Sequence, residues 1–369
     1  MIRPNGLFSC LRPSRIIMKE EAYVGCLLGT AVGDSLGLPY EGIHPKRAAR
    51  LFPDSGRHHF FFGRGMISDD TEHACLVAQS LINAHGNVDG FQRHLARSLR
   101  WWLLGLPAGV GLATLKSVFR LWVGFRPNMS GVFSAGNGPA VRSPLLGLAY
   151  GDSSGSLKEF VSRCTEITHS DPKAFYGAMA VAVAAYQSAV KPSISGNDFL
   201  NELSVYLRGE NADEFLSLVH KAAQSAEKGE PVTDFAVAIG SLKGISGYVY
   251  HTVPCVIQVW LKHADDFAAG LQEVISAGGD TDTTGAILGA VLGARTGKEG
   301  IPAAWLDYIL EWPRSICWIE RLGITLAKAF DGEQKFSCPG YFVPGVILRN
   351  AFFLIIVLSH GLRRLAPPY

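Results

Sequence analysis

Residues 278–296 read Gly-Gly-Asp-Thr-Asp-Thr-Thr-Gly-Ala-Ile-Leu-Gly-Ala-Val-Leu-Gly-Ala-Arg-Thr. From Gly285 onward the pattern is apolar nearly all round, as in a central buried helix. Gly285, Gly289 and Gly293 recur at every fourth position and form one stripe, where another backbone can approach closely. The head of this helix carries two carboxylates, Asp280 and Asp282, between glycines and threonines. One helix start needs one cap. Acids at the mouth of a buried helix must be paired or must hold a cation.

Two other segments repeat the theme. Ser68-Asp69-Asp70-Thr71-Glu72 precedes an apolar helical pattern, and Gly33-Asp34-Ser35-Leu36-Gly37-Leu38-Pro39-Tyr40-Glu41 sets carboxylates among glycines. Taken alone, the Ser68 block reads as a helix cap, because Ser and Asp satisfy the first free N–H groups and acids suit the dipole. Beside Asp280 and Asp282 it reads differently. Few basic residues lie near these acids in sequence. Oxygen donors without His or Cys suit hard cations such as Mg2+ or Mn2+. Two acid pairs suffice for two ions about 4 Å apart, the spacing of binuclear hydrolytic sites. A fourth segment, Ser134-Ala135-Gly136-Asn137-Gly138-Pro139, makes a tight turn whose N–H groups can hold a phosphate. No Gly-Lys-Ser/Thr follows any glycine run, which excludes a nucleotide-hydrolase phosphate loop.

The rest of the chain is helical in pattern. Residues 72–84, 91–104, 173–190, 212–228, 265–276 and 283–296 have helical spacing, and alternating strand patterns are scarce. No repeat or linker divides the chain after residue 21. The fold class expected is all-α: one compact multi-helix domain over 21–369. Its last helix, around the apolar run Ala351-Phe-Phe-Leu-Ile-Ile-Val-Leu358, is expected to be buried. Eight apolar residues fall short of the roughly 20 needed to span a membrane. Net charge is +2, with 18% charged residues, which gives no footprint for nucleic acid. Seven cysteines without a Cys-x-x-Cys pair argue against zinc knuckles and disulfides, and for a cytoplasmic location.

Asp280-Thr281-Asp282-Thr283-Thr284 also matches the nucleophile loop of haloacid-dehalogenase-type phosphatases, which requires an apolar strand before the first Asp. Ser276-Ala277-Gly278-Gly279 is no such strand. The ordered set of blocks instead resembles the ADP-ribosylglycohydrolase family. Residues 25–37, Ser68-Asp69-Asp70-Thr71 and Gly278 to Thr283 resemble its three signature blocks; Gly136-Asn137-Gly138 with Arg142, Thr168-His169 and 248–254 resemble further segments. The likeness spans about residues 21–330. It implies a metal-dependent hydrolase that removes ADP-ribose from protein side chains, arginine first. It implies two Mg2+ or Mn2+ ions on Ser68, Asp69, Asp70, Asp280, Asp282 and Thr283, and a diphosphate loop at Ser134, Gly136, Asn137 and Gly138. His169 would contact the nucleotide. Asp70, Asp280 or Glu41 would serve as base or steer the attacking water.

Residues 1–20 lie outside the likeness. Pro4, Gly6 and Pro13 argue against helix there, and Leu7, Phe8 and three arginines suit a partner-binding arm. Some relatives resemble immunity proteins whose N-terminal extension blocks an ADP-ribosyltransferase toxin. A catalytically inactive toxin-binding protein is the alternative. The expected partners are thus ADP-ribosylated protein and a toxin, with neither nucleic acid nor membrane.

Overall fold

The computed structural model describes residues 18–331, 334–363, 365 and 367. It forms one helical domain; among the described residues there are isolated β-bridges but no strand. Most of the extension read as a partner arm lies outside the described residues. Met18 packs against the core and a helix begins at Glu20.

The centre of the molecule is a pair of antiparallel helices, Glu20–Gly37 and Thr281–Thr296. Both are buried almost end to end. The glycine stripe expected on the second meets a matching stripe on the first. Gly25 faces Gly293, Gly29 faces Gly289, Gly33 faces Gly285, and Gly37 faces Thr281. A Cβ on Gly29 would lie 2.0 Å from the Gly289 carbonyl oxygen, and one on Gly289 would lie 2.1 Å from that of Gly29. No side chain fits there. The Thr281 hydroxyl closes the last rung by donating to the Gly37 carbonyl at 2.8 Å. Helices Pro172–Val190, Val249–Lys262, Phe267–Ser276 and Ile316–Asp331 wrap this pair.

Asp69–Ala84 packs between Val88–Leu104 and Ile316–Asp331. It is riveted by a buried ion pair, Glu72 to Arg314 at 2.6 Å, and Trp102 Nε1 donates to the other Glu72 oxygen at 2.6 Å. A buried pair with additional hydrogen bonds holds one arrangement well, and losing one partner strands the other charge.

The C-terminal helix, Val343–Arg363, corrects the expectation of burial. Only Gly345, Arg349, Asn350, Phe353 and Ile356 are buried. Ile347, Leu348, Leu354, Ile355, Leu358 and Leu362 face solvent, Ile355 with 62% of its surface exposed. An apolar run shows that one face can be covered; it does not show that two are. Among the described residues this is the one helix long and apolar enough to cross a membrane by length and composition. Its inner face is nonetheless docked by polar bonds. Arg349 forms a buried bidentate pair with Glu311, at 2.7 and 2.8 Å, and Asn350 donates to the Gly105 carbonyl at 2.7 Å.

The glycine pairs set a clear contrast. Gly289→Ala should destabilise the protein by about 3 kcal/mol or more, because the backbone it strikes cannot give way. Gly155→Ala, inside helix Ser154–Glu166 with nothing within reach of the new methyl, should be neutral or stabilising by up to about 1 kcal/mol. Thermal denaturation of the two variants beside wild type measures both signs.

Candidate active site

The carboxylates come from the ends of the helices just described. Asp34 lies in the last turn of Glu20–Gly37, fully buried. Its Oδ2 accepts from Ser68 N at 2.8 Å, from Thr71 N at 3.2 Å and from the Thr71 hydroxyl. It thereby ties the start of Asp69–Ala84 to the central pair. Its Oδ1 is buried with no partner. Ser68 does cap its helix, accepting from Asp70 N at 3.2 Å. Ser68 thus caps its helix, and the same block is tied to the buried Asp34.

Asp280 and Asp282 stand at the head of Thr281–Thr296. Asn137, whose side chain donates to Asp280 Oδ2 at 2.6 Å, is itself fixed by a 3.0 Å bond to the Thr252 hydroxyl. Bridges stitch three loops together here: Gly136 to Tyr248, and Ile245 to Gly279. Gly279 and Gly244 adopt positive φ, and a Cβ on Gly279 would lie 2.1 Å from the Ile245 carbonyl oxygen. Glu41 follows a short 3-10 turn, Leu38–Tyr40, and lines one cavity with Ser68, Asp69 and Asp282.

The charge balance is lopsided. Among the described ion pairs none involves Asp34, Asp69, Asp70, Asp280 or Asp282. Burial, joined by mutual repulsion, holds Asp69, Asp70 and Asp282 well above the usual carboxylate range. Burial raises Asp34 to about 6 against the donors that bind it. The Thr283 hydroxyl bonds to Asp70. Uncompensated buried carboxylates with oxygen-only neighbours suit a hard divalent cation. Among the described residues no three His, Cys, Asp or Glu side chains already converge on one point. Charge and donor type fit the ions; the final closure of oxygens around them is not preformed.

Ser134, Gly136, Asn137 and Gly138 form the loop before the short helix Gly138–Val141, with His169 against it. His169 is buried, and its Nδ1 bonds the Thr168 hydroxyl at 2.9 Å. Burial first and then the Arg142 charge lower it to about 3, so it is neutral at physiological pH. Arg142 is also buried. Its Nη2 donates to the Thr168 hydroxyl, while Nε and Nη1 have no partner.

The sequence-derived site residues thus fall in one neighbourhood. A family model described as ADP-ribosylglycohydrolase matches residues 17–335. The chain belongs to the ADP-ribosylglycohydrolase family. Members of that family hydrolyse ADP-ribose from proteins. An uncharacterised protein of Archaeoglobus fulgidus is 30% identical over 296 residues, covering 78% of this chain and 91% of the relative. The ADP-ribosyl-[dinitrogen reductase] glycohydrolase of Rhodospirillum rubrum is 27% identical over 77% of this chain and 88% of its own length. The chicken (Gallus gallus) ADP-ribosylhydrolase ARH3 is 25% identical over 76% and 87%. A solved structure titled ADP-ribosylglycohydrolase-related protein complex aligns with a TM-score of 0.60 at 23% identity, covering 84% of this chain and 98% of that one, and shares the fold. The phosphatase alternative falls with the fold, since helix Phe267–Ser276 and not a strand precedes Asp280.

Sequence reasoning did not count Asp34 among the site residues of this family member. The residue was visible in the Gly33–Glu41 block. A lone acid in the last turn of an apolar helix gives no sign that it receives three donors from a segment 34 to 37 residues away. Thr252, which fixes Asn137, was likewise beyond reach.

The raised carboxyls have a pH signature. A carboxyl that holds its proton more tightly folded than unfolded destabilises the fold as the pH climbs from its unfolded to its folded value, here from about 4 to about 6 for Asp34. Metal-stripped protein should therefore melt higher at about pH 5.5 than at about pH 7.5, with Asp282→Asn showing a flatter dependence. Scanning calorimetry across that range in a chelator reads the slope.

Proposed function

We propose that this protein is a metal-dependent hydrolase releasing ADP-ribose from modified protein side chains, arginine first. The observation that carries this reading is the set of buried, unpaired carboxylates at the ends of the glycine-packed helices, beside the Asn137 loop. Ser68, Asp69, Asp70, Asp280, Asp282 and Thr283 would hold two Mg2+ or Mn2+ ions. Bound there, the ions would supply Lewis acidity toward the ribose hydroxyls and a water acidified toward neutral pH.

The chain's own groups divide the remaining work. Asn137 holds Asp280 in one orientation, and Asp34 holds the backbone from which Asp70 projects. The loop at Ser134, Gly136 and Gly138 presents backbone N–H groups suited to the diphosphate, with neutral His169 behind it. Asp70, Asp280 and Glu41 are the candidate bases; Glu41, exposed and lining the cavity with Ser68, Asp69 and Asp282, is our first choice to take a proton from the attacking water and pass it to the leaving nitrogen. The exposed Glu41 carboxylate in this cavity suits a cationic guanidinium as acceptor. The Rhodospirillum relative is named for removing ADP-ribose from a protein, which supports a protein-attached substrate, while the ARH3 relatives suggest other acceptors, with a serine hydroxyl as the competitor to be tested.

Incubation with an arginine-ADP-ribosylated protein should release free ADP-ribose only with Mg2+ or Mn2+, and Asp282→Ala should lower the rate at least about a hundredfold. Release from serine-linked substrate alone would overturn the acceptor and keep the chemistry. No release from either would overturn the hydrolase reading. Glu41→Gln should cut kcat by about 10^2 to 10^4 while leaving metal affinity, measured by calorimetry, nearly intact.

A further inference from the structure

The helix Val343–Arg363 lies beyond residues 17–335, the part that matches the family. Its inner face is read by Arg349, Asn350, Phe353, Ile356 and His360, spaced as one side of a helix. That face does not rest on an indifferent surface. Phe353, Val357, His360 and Gly361 line the same cavity as Glu41, Ser68, Asp69 and Asp282. With the helix seated, that cavity holds about 160 Å3. Sites for small ligands run roughly 300–1,000 Å3. The helix therefore closes the carboxylate cluster on its Glu41–Asp69 side.

The two halves of the helix are held differently. Arg349 is anchored in the buried pair with Glu311 and donates to the Ile67 carbonyl at 2.5 Å; Asn350 binds Gly105. Beyond this anchor the hold is lighter. Phe353 and Ile356 sit in a small apolar cluster with Leu38, Phe60 and Met66, and His360 bonds the Phe60 carbonyl while stacking on its ring. The ion-paired rivet is at one end, and the segment over the site is held by apolar and aromatic contacts, the His360 hydrogen bond and Arg363 over the Phe52 ring. Glu311, the partner of Arg349, also accepts from Ile67 N at 3.2 Å, one residue before Ser68. The anchor is thus tied to the segment that carries Asp69 and Asp70.

We propose that the Val343–Arg363 helix is a lid on the active site, pivoting at Arg349, whose Phe353, Val357 and His360 must lift away before a protein-attached ADP-ribose can reach the carboxylates. The direction of blockage rests on the function proposed above. On that reading, a diphosphate on the Ser134–Gly138 side would direct the bond to the acceptor toward the cavity lined by Glu41, Asp69 and the lid. Closed, the lid shields the cluster; open, it admits the substrate.

The full-length double variant Phe353→Ser/Ile356→Ser loosens the lid, and Ile355→Ser on the exposed face is its control. Hydrogen exchange should quicken in residues 353–363, 68–72 and 105–110 of the double variant and stay at wild-type rates in the control. If the open state is a minor one, at most about a tenth of molecules, kcat/KM on an ADP-ribosylated protein should rise up to about tenfold or more. Faster exchange with unchanged or lower kcat/KM, in a protein whose wild type cleaves the substrate, overturns the lid. If no variant cleaves any substrate, the hydrolase reading falls and exchange decides the lid alone: quickened site segments uphold it, unchanged ones overturn it. Should the double variant unfold, the pair Ala108→Cys/Val357→Cys, at two positions lining the same cavity, tests the opposite direction. Oxidation should suppress cleavage of the protein substrate and reductant should restore it; full activity in the cross-linked form overturns the proposal.

Discussion

Asp34, Asp69, Asp70 and Asp282 repel one another in a setting where burial already disfavours their charge. A chain left to itself would move them apart into water. Every main feature of this fold can be understood as resisting that separation. The glycine-packed pair fixes the ends of two helices side by side. The three donors on Asp34 bind the start of a third helix to that pair. The Glu72–Arg314 pair holds the third helix from its far side, and Asn137 holds Asp280 from the loop side. The cluster is thus assembled at a cost, and a divalent cation of the kind this family uses would turn that cost into binding energy.

The division between what could and could not be read in the sequence follows from interaction range. The stripe at Gly285, Gly289 and Gly293 and the acids ahead of it are local patterns, and a helix converts spacing into a face without reference to the rest of the chain. The all-helical class and the carboxylate blocks were legible for that reason. Pairings were not. Nothing local in Asn137 points to Asp280, 143 positions away, and nothing local in Asp34 points to Thr71. The C-terminal helix failed in the same way. Its composition showed that it could be covered on all sides, and only the shape of the body could show that it meets one surface and leaves its other face in water.

That last helix also shows how polar residues direct an apolar element. Arg349 and Asn350 are the residues that make the stretch look least like a hydrophobic segment, and they decide where it lies. A buried ion pair contributes little net stability beside an apolar alternative, but it is intolerant of misplacement. Arg349 fixes one register against Glu311 and Ile67, and Phe353 and Ile356 follow onto their cluster.

The glycine ladder has a limitation of its own. Because its period is one helical turn, sliding one helix along the other by a turn would still set glycine against glycine: Gly25 against Gly289 and Gly29 against Gly285. The ladder alone is degenerate under such a slip, like a zip fastener started one tooth off. A slipped pair would carry Asp34 about 5–6 Å from its proper level relative to Asp282. What breaks the degeneracy is the polar end of the ladder, where Thr281 stands in place of a fourth glycine and its hydroxyl reaches the Gly37 carbonyl. The information that aligns the two helices is therefore stored at the same end as the chemistry, and the residues that build the site also index the fold.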